Sequence, residues 1–109
     1  VYVAHPYGGN RWLRVRSEEF IKELVKKYPE HTFISPIHAF GFMYDWVDTY
    51  DQGMKMCTDL LAKCDVLILC DGWRNSEGCN REKDFAEEKG IPIYSYIEAV
   101  KNGNLKPKN

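Results

Sequence analysis

Glu82 stands where a carboxylate is least expected. At about 100° per residue on a helix, Cys79, Glu82, Phe85 and Ala86 share one arc, the arc that faces a sheet, whereas Lys83, Asp84, Glu87 and Glu88 lie mostly toward solvent. An acid in an apolar stripe loses hydration and has to be paired, neutralised or used. Two readings stay open on periodicity alone: a salt bridge to a basic residue such as Arg11, or a working carboxylate in a functional site. Around it the sequence offers further candidates. In His5-Pro6-Tyr7-Gly8-Gly9-Asn10-Arg11, the glycines let backbone N–H groups approach a ligand, and the segment leads into a helix N-terminus that favours anions. Arg11 is placed to clamp a phosphate, although Gly-Gly before a helix is also simply a turn. Ser76-Glu77-Gly78 opens another helix in the same manner, with the serine as helix cap, phosphate ligand or both. Trp73, beside Asp71-Gly72, is able to stack on a base or to pack against the core. His38 sits in an aromatic segment, where a solvated imidazole competes with a ligand contact.

These residues need elements to position them. Val1-Tyr2-Val3-Ala4 reads as a strand broken by Pro6 and the Gly8-Gly9 pair. Leu13, Phe20, Ile21, Leu24 and Val25 recur at helical spacing from Trp12 to about Lys27, and Tyr28-Pro29 ends that helix. Thr32-Phe33-Ile34 is a second short strand closed by Ser35-Pro36. From Ile37 to Tyr50 the chain is aromatic, with Phe40, Phe42, Tyr44, Trp46 and Tyr50 lacking a clean period; it reads as a long binding loop, or else a subunit interface. Met54, Cys57, Leu60, Leu61 and Cys64 predict a helix from about Asp51 to Lys63. Val66-Leu67-Ile68-Leu69-Cys70 is a continuous apolar run, the pattern of a central parallel strand buried on both faces. Ser76 caps a helix reaching about Lys89, Gly90 stops it, Ile91-Pro92-Ile93-Tyr94 is a fourth strand, and Ile97 with Val100 suggests a last short helix.

Alternating strands and helices imply a parallel sheet, and ligands of such sheets bind outside the carboxyl ends of the strands. That rule gathers three segments at one edge: His5 to Arg11, Ser35 to Trp46, and Asp71 to Gly78. Composition sets the outer bounds. A chain of 109 residues, 44% hydrophobic and 28% charged with a formal net charge of -1, is one ordinary globular domain spanning 1–109, without the basic excess that steers proteins onto nucleic acid polymers. The apolar run from Val66 to Cys70 is far short of a membrane span, and the N-terminus lacks a secretory pattern, so a cytoplasmic location is expected. Cys57, Cys64, Cys70 and Cys79 show no C-x-x-C spacing and read as buried free thiols; with His5, His31 and His38 they do not make a metal site.

Taken together, Val1-Tyr2-Val3-Ala4-His5-Pro6-Tyr7-Gly8-Gly9, Ser35-Pro36-Ile37-His38, Leu61-Ala62-Lys63-Cys64-Asp65, Gly72-Trp73 and Ser76-Glu77-Gly78-Cys79-Asn80-Arg81-Glu82 resemble the nucleoside 2-deoxyribosyltransferase-like superfamily over nearly the whole chain. The likeness is closest to its small bacterial and phage members and more distant to the deoxynucleoside monophosphate N-glycosidases. It implies an α/β fold, a Rossmann-like or flavodoxin-like three-layer sandwich with a four- to five-stranded parallel sheet. It also implies that Glu82, the glutamate of the Ser-x-Gly-x-x-x-Glu segment, attacks the anomeric carbon of a 2-deoxyribosyl group, with the base leaving and the sugar passing to water or a second base. Gly8, Gly9, Ser76 and Gly78 fall in segments that hold a 5′-phosphate in the monophosphate-cleaving members, and Tyr7 would lie close to the sugar or base.

One departure matters. Members of the superfamily carry an aspartate eight residues before the one matched by Asp65, and here that slot holds Cys57. Asp59 points roughly 150° away from the face shared by Cys57, Leu60 and Leu61 and is a poor substitute, which leaves Asp71 as the second catalytic candidate. The expectation is an N-glycosidase or deoxyribosyltransferase acting on a small-molecule nucleoside or nucleotide, without metal or cofactor, and as a homo-oligomer if it follows the superfamily. The alternatives are a nucleotide-binding module that keeps the pocket without turnover, and a purely structural partner protein.

Overall fold

In the computed structural model, which describes residues 1–45, 49–101 and 105, three short strands pair in parallel: β1 (Tyr2–Ala4), β2 (Leu67–Leu69) and β3 (Ile93–Ser95). The order is β1-β2-β3, with Tyr2 opposite Leu67 and Leu67 opposite Ile93. Parallel neighbours need crossovers, and helices supply them. Between β1 and β2 run α1 (Arg11–Lys27), α2 (Pro36–Phe40) and α3 (Tyr50–Leu61), between β2 and β3 runs α4 (Glu77–Lys89), and α5 (Tyr96–Lys101) follows β3.

The period-two alternation of the strands divides the core into two layers. Val3, Val66, Ile68 and Cys70 pack with Leu24 and Tyr28 of α1, Ala99 of α5 and Leu105. On the opposite face Tyr2, Ala4, Leu67 and Leu69 pack with Leu61 of α3 and with Cys79 and Ala86 of α4. β2 is buried along its whole length because both faces are covered, as its unbroken apolar run required.

The expected four- to five-stranded sheet is corrected to three strands among the described residues. Thr32–Ile34 does not make a strand; Ile34 alone bridges Tyr2, with Val3 N–H donating to the Ile34 carbonyl at 2.9 Å and Ile34 N–H to the Val1 carbonyl at 2.8 Å. The reason is local. A turn closes His31 N–H onto the Tyr28 carbonyl, and Ser35 already caps α2 with Pro36 in its first turn, so no length is left for a ladder.

The segment from Ile37 to Tyr50 is also corrected. Rather than a long loop it forms α2, a 3-10 turn over Gly41–Asp45, and the start of α3; the expected Trp46 lies outside the described residues. Elsewhere the boundaries shift by a residue or two. Gly90 ends α4 in the left-handed region, φ 73°, with its N–H closing on the Ala86 and Glu87 carbonyls. On α1 the buried face differs from the expected one: Val25 is exposed, while Ser17 is buried with its hydroxyl donating to the Arg14 carbonyl at 2.6 Å. No helix among the described residues is long and apolar enough to cross a membrane.

Candidate functional site

At β1 the chain direction divides: Ile34 lies against one side of it and β2 against the other. Crevices at such switch points, outside the carboxyl ends of the strands, are where α/β sheets take ligands. A cavity of about 180 Å³, open to solvent, occupies this place on the α3/α4 face. Its wall combines the end of β1 (His5, Tyr7, Gly8), α2 and the 3-10 turn (Ile37, Phe40, Tyr44), α3 (Tyr50, Met54, Cys57) and α4 with its cap (Ser76, Gly78, Glu82). It is smaller than the roughly 300–1,000 Å³ of common ligand pockets, so a ligand larger than a sugar and one ring would extend past its open mouth.

Glu82 forms the floor. It is 5% exposed, and its Oε2 accepts a hydrogen bond from the Tyr2 hydroxyl, itself fully buried. The salt bridge to Arg11 that periodicity left open does not form; Arg11 is exposed at the start of α1, and among the described residues no cation pairs with Glu82. Burial pushes the Glu82 carboxyl up to about 7, with the Tyr2 hydrogen bond pulling in the opposite direction. Burial, followed by the charge of Glu82, raises the Tyr2 hydroxyl in turn, so Tyr2 stays protonated and donates. Cys57 of α3 stands beside both groups, its thiol pushed up to about 11 by burial and the Glu82 charge. The arrangement is a carboxylate poised between its two forms near neutral pH, able to act as nucleophile or base.

The first segment reaches the cavity through glycine. Gly8 and Gly9 have φ 57° and 78°, consecutive left-handed residues that strain any L side chain, and they turn the chain from β1 toward α1. Asn10 then caps α1, its side chain accepting from Trp12 N–H at 2.8 Å and Leu13 N–H at 3.2 Å. Tyr7 folds back over the 3-10 turn, its ring edge-to-face with Tyr44 at 5.0 Å between centroids. Gly41 lies close beside this ring; a Cβ there would touch the Tyr7 ring at 3.4 Å, an ordinary contact distance. At the opposite wall Ser76 caps α4 by accepting from Cys79 N–H at 3.2 Å. Asn80 holds the preceding turn by donating to the Trp73, Arg74 and Ser76 carbonyls.

Of the residues singled out from the sequence, Glu82, Tyr7, Gly8, Ser76 and Gly78 line one cavity. The others do not. Gly9 is exposed just outside, next to Tyr44. His38 is exposed on α2, bonded through Nε2 to Glu18 at 2.7 Å and through Nδ1 to the Ser35 hydroxyl at 2.6 Å. Asp71 is exposed at the end of β2, and its backbone carbonyl accepts from Arg16 at 2.9 Å. Trp73 packs half-buried against the α3/α4 layer, with Arg74 and Lys83 over its ring at 4.7 and 5.9 Å.

Two residues of the site escaped the sequence reading. Tyr2 looked like one more apolar strand residue, and only the register that sets it opposite Leu67 directs its hydroxyl to α4. His5 lines the cavity, is 5% exposed and donates from Nδ1 to the Pro6 carbonyl at 2.7 Å, which leaves its buried Nε2 as an acceptor with no partner among the described residues. Burial holds its pKa below the usual histidine value, so the ring is neutral at pH 7. For His5 the available signal was a strand running into a histidine just before a glycine turn; for Tyr2 there was none. Among the described residues no group of histidines, cysteines and acids is gathered to hold a metal ion.

The profile of a family described as a domain of unknown function, DUF4406, matches residues 1–95, the part of the chain that contains all three strands and every wall of the cavity. The chain belongs to that family. No curated protein and no solved structure matches it significantly.

Proposed function

We propose that this chain cleaves or transfers the N-glycosidic bond of a (deoxy)nucleoside or nucleoside 5′-monophosphate, with Glu82 as nucleophile. The observation that carries the reading is the Glu82 carboxylate itself, buried on the floor of a cavity at the carboxyl edge of a parallel sheet and held by a tyrosine hydroxyl rather than a cation. A structural acid in that position would be expected to have a basic partner. In this reading the carboxylate attacks the anomeric carbon, the base departs through an oxocarbenium-like transition state, and water or a second base releases the sugar. Tyr2 orients the nucleophile, Tyr7 lies along the sugar or base, and Gly8 with Ser76 and Gly78 frames the 5′ end of the substrate. The likeness to the nucleoside 2-deoxyribosyltransferase-like superfamily supports it, and with it a flavodoxin-like reading of the sheet in which Ile34 marks the place of an outer strand. A small-molecule partner, a homo-oligomeric assembly and a cytoplasmic location belong to the same proposal.

The second reading, a nucleotide-binding module without turnover, is favoured by Cys57. It stands against Glu82 where the superfamily has an aspartate, and Asp71 is too far toward solvent to line the cavity. Losing acid assistance costs roughly 10² to 10⁴ in rate. Chromatography of free base released from a panel of nucleosides and 5′-monophosphates, for wild type beside Glu82→Gln, decides between them. Release that disappears in the variant supports the enzyme; no release from any compound, with a ligand still raising the melting temperature, leaves the binding module.

A further inference from the structure

We propose that the substrate of this site is an N-glycoside whose base carries a fixed positive charge, an N-alkylated purine or a pyridinium, and that the aromatic side chains around Glu82 form a cage for that cation. The inference rests on the nucleophile reading of Glu82. Tyr7, Phe40, Tyr44 and Tyr50 line the cavity with the carboxylate, and no lysine or arginine lines it among the described residues. Aromatic faces and a carboxylate both attract positive charge, and in a partly dehydrated cavity the attraction is larger than in water. One of these rings already accepts a cation. Arg81, which does not line the cavity, holds its guanidinium 5.1 Å from the Tyr50 ring centroid while pairing with Asp51 and Glu77 at 3.1 and 3.2 Å.

An independent observation concerns protons. A neutral base leaves poorly unless it is protonated, and Glu82, used as nucleophile, is the only carboxyl lining the described wall. The Nδ1 hydrogen of His5 is committed to the Pro6 carbonyl and its Nε2 carries none. The Cys57 thiol and the Tyr44 hydroxyl are held up to about 11 and about 12, and Asp71 lies outside the cavity. A cationic base needs no donor. A Glu82 oxygen bonds to the anomeric carbon as the carbon–nitrogen bond breaks, the electron pair goes to the ring nitrogen, and the base leaves neutral. Water then adds its hydroxyl to the anomeric carbon, restores the Glu82 carboxylate and releases one proton to solvent. The same cation, once bound, draws the Glu82 carboxyl toward its ionised form, so the nucleophile is charged when the substrate is in place.

The test compares 2′-deoxyguanosine with N7-methyl-2′-deoxyguanosine, and measures free base against the Glu82→Gln protein as blank, which removes spontaneous loss. The expected result is Glu82-dependent release with kcat/KM at least roughly tenfold higher for the methylated compound, the size of effect a desolvated cation–aromatic contact supplies. Because the methylated base is also the better leaving group, Tyr44→Leu and Tyr44→Phe are measured with both compounds. Leucine is expected to shrink the ratio and phenylalanine to keep it. Equal or faster cleavage of the neutral compound, or a ratio that leucine does not move, overturns the cage and leaves the nucleophile reading intact; no Glu82-dependent release from either compound overturns both.

Discussion

The two faces of the sheet solve the same packing problem differently. On the α1/α5 face the strands meet a closed layer, Val3, Val66, Ile68 and Cys70 against Leu24, Tyr28 and Ala99, with the Tyr28 hydroxyl donating to the Ala99 backbone carbonyl. On the α3/α4 face the layer is complete at Leu61, Leu67 and Ala86, and opens at the carboxyl ends of the strands into a cavity with a buried acid on its floor. Each face holds a buried tyrosine. One bonds to a backbone carbonyl and finishes the core; the other bonds to a carboxylate that burial keeps near neutrality. The first face is closed by packing, and the second gives up packing and holds a costly buried group where the proposed chemistry would use one.

The comparison breaks most sharply at Glu82. Replacing it with glutamine is expected to lower base release by roughly 10³-fold or more, while the melting temperature stays level or rises, because a neutral amide replaces a carboxyl that is partly charged at pH 7. Chromatographic turnover alongside calorimetry reads both; a variant that loses activity and stability together would make Glu82 a structural residue. On the opposite face Ile68→Ala should do the reverse. Ile68 is fully buried, so truncation is expected to cost about 2–5 kcal/mol in urea denaturation, with turnover per folded molecule retained.

How much of this was legible in the sequence follows the same division. The closed face declared itself, since a continuous apolar run of strand length bounded by turn residues reads as a strand covered on both sides, and Gly90 after a helical period is a stop signal that needs no tertiary partner. Glu82 was legible too, because an acid within a helical stripe is a local anomaly. What surrounds it was not. Tyr2 reaches Glu82 across eighty positions of sequence, a contact fixed by strand register that no local pattern carries. Gly8, Ser76 and Gly78 line the cavity from segments whose turn and cap chemistry is local, and Tyr7 was pointed to by the resemblance alone, whereas Arg11, Asp71, His38 and Trp73 sat in the expected segments but lie outside the cavity. The aromatic segment misled because α2 is one turn and a half long, too short for periodicity to register, and its Ser35-Pro36 start reads equally as a strand stop.

Stability should depend on pH through the open face. The Glu82 carboxyl titrates near 7 in the folded protein, against an ordinary value of 4.5, so the folded state holds its proton more tightly than the unfolded chain. Stability from this group is therefore full below about pH 4.5, falls as pH rises toward 7 and is flat beyond, a loss on the order of 3 kcal/mol. Urea midpoints at pH 5 and pH 8 measure it, and the difference attributable to this group should vanish in Glu82→Gln. If instead the wild-type protein and the variant keep the same pH slope, burial is not holding the proton.

The smallest effects sharpen the comparison most, because they remove one oxygen atom from each face. Tyr28→Phe takes a hydrogen bond from the Ala99 carbonyl and is expected to cost about 1–2 kcal/mol at every pH, with base release unchanged. Tyr2→Phe removes the hydrogen bond that lowers the Glu82 carboxyl, so its pKa should rise further and the activity profile move to higher pH. The stability cost of Tyr2→Phe should then depend on pH: small where Glu82 is protonated and bonds weakly to its neighbour, larger where the carboxylate loses its donor. Paired denaturation curves and pH–rate profiles for the two variants separate the roles. A flat cost and an unmoved profile for Tyr2→Phe would make the two tyrosines equivalent, and the open face only a less perfect copy of the closed one.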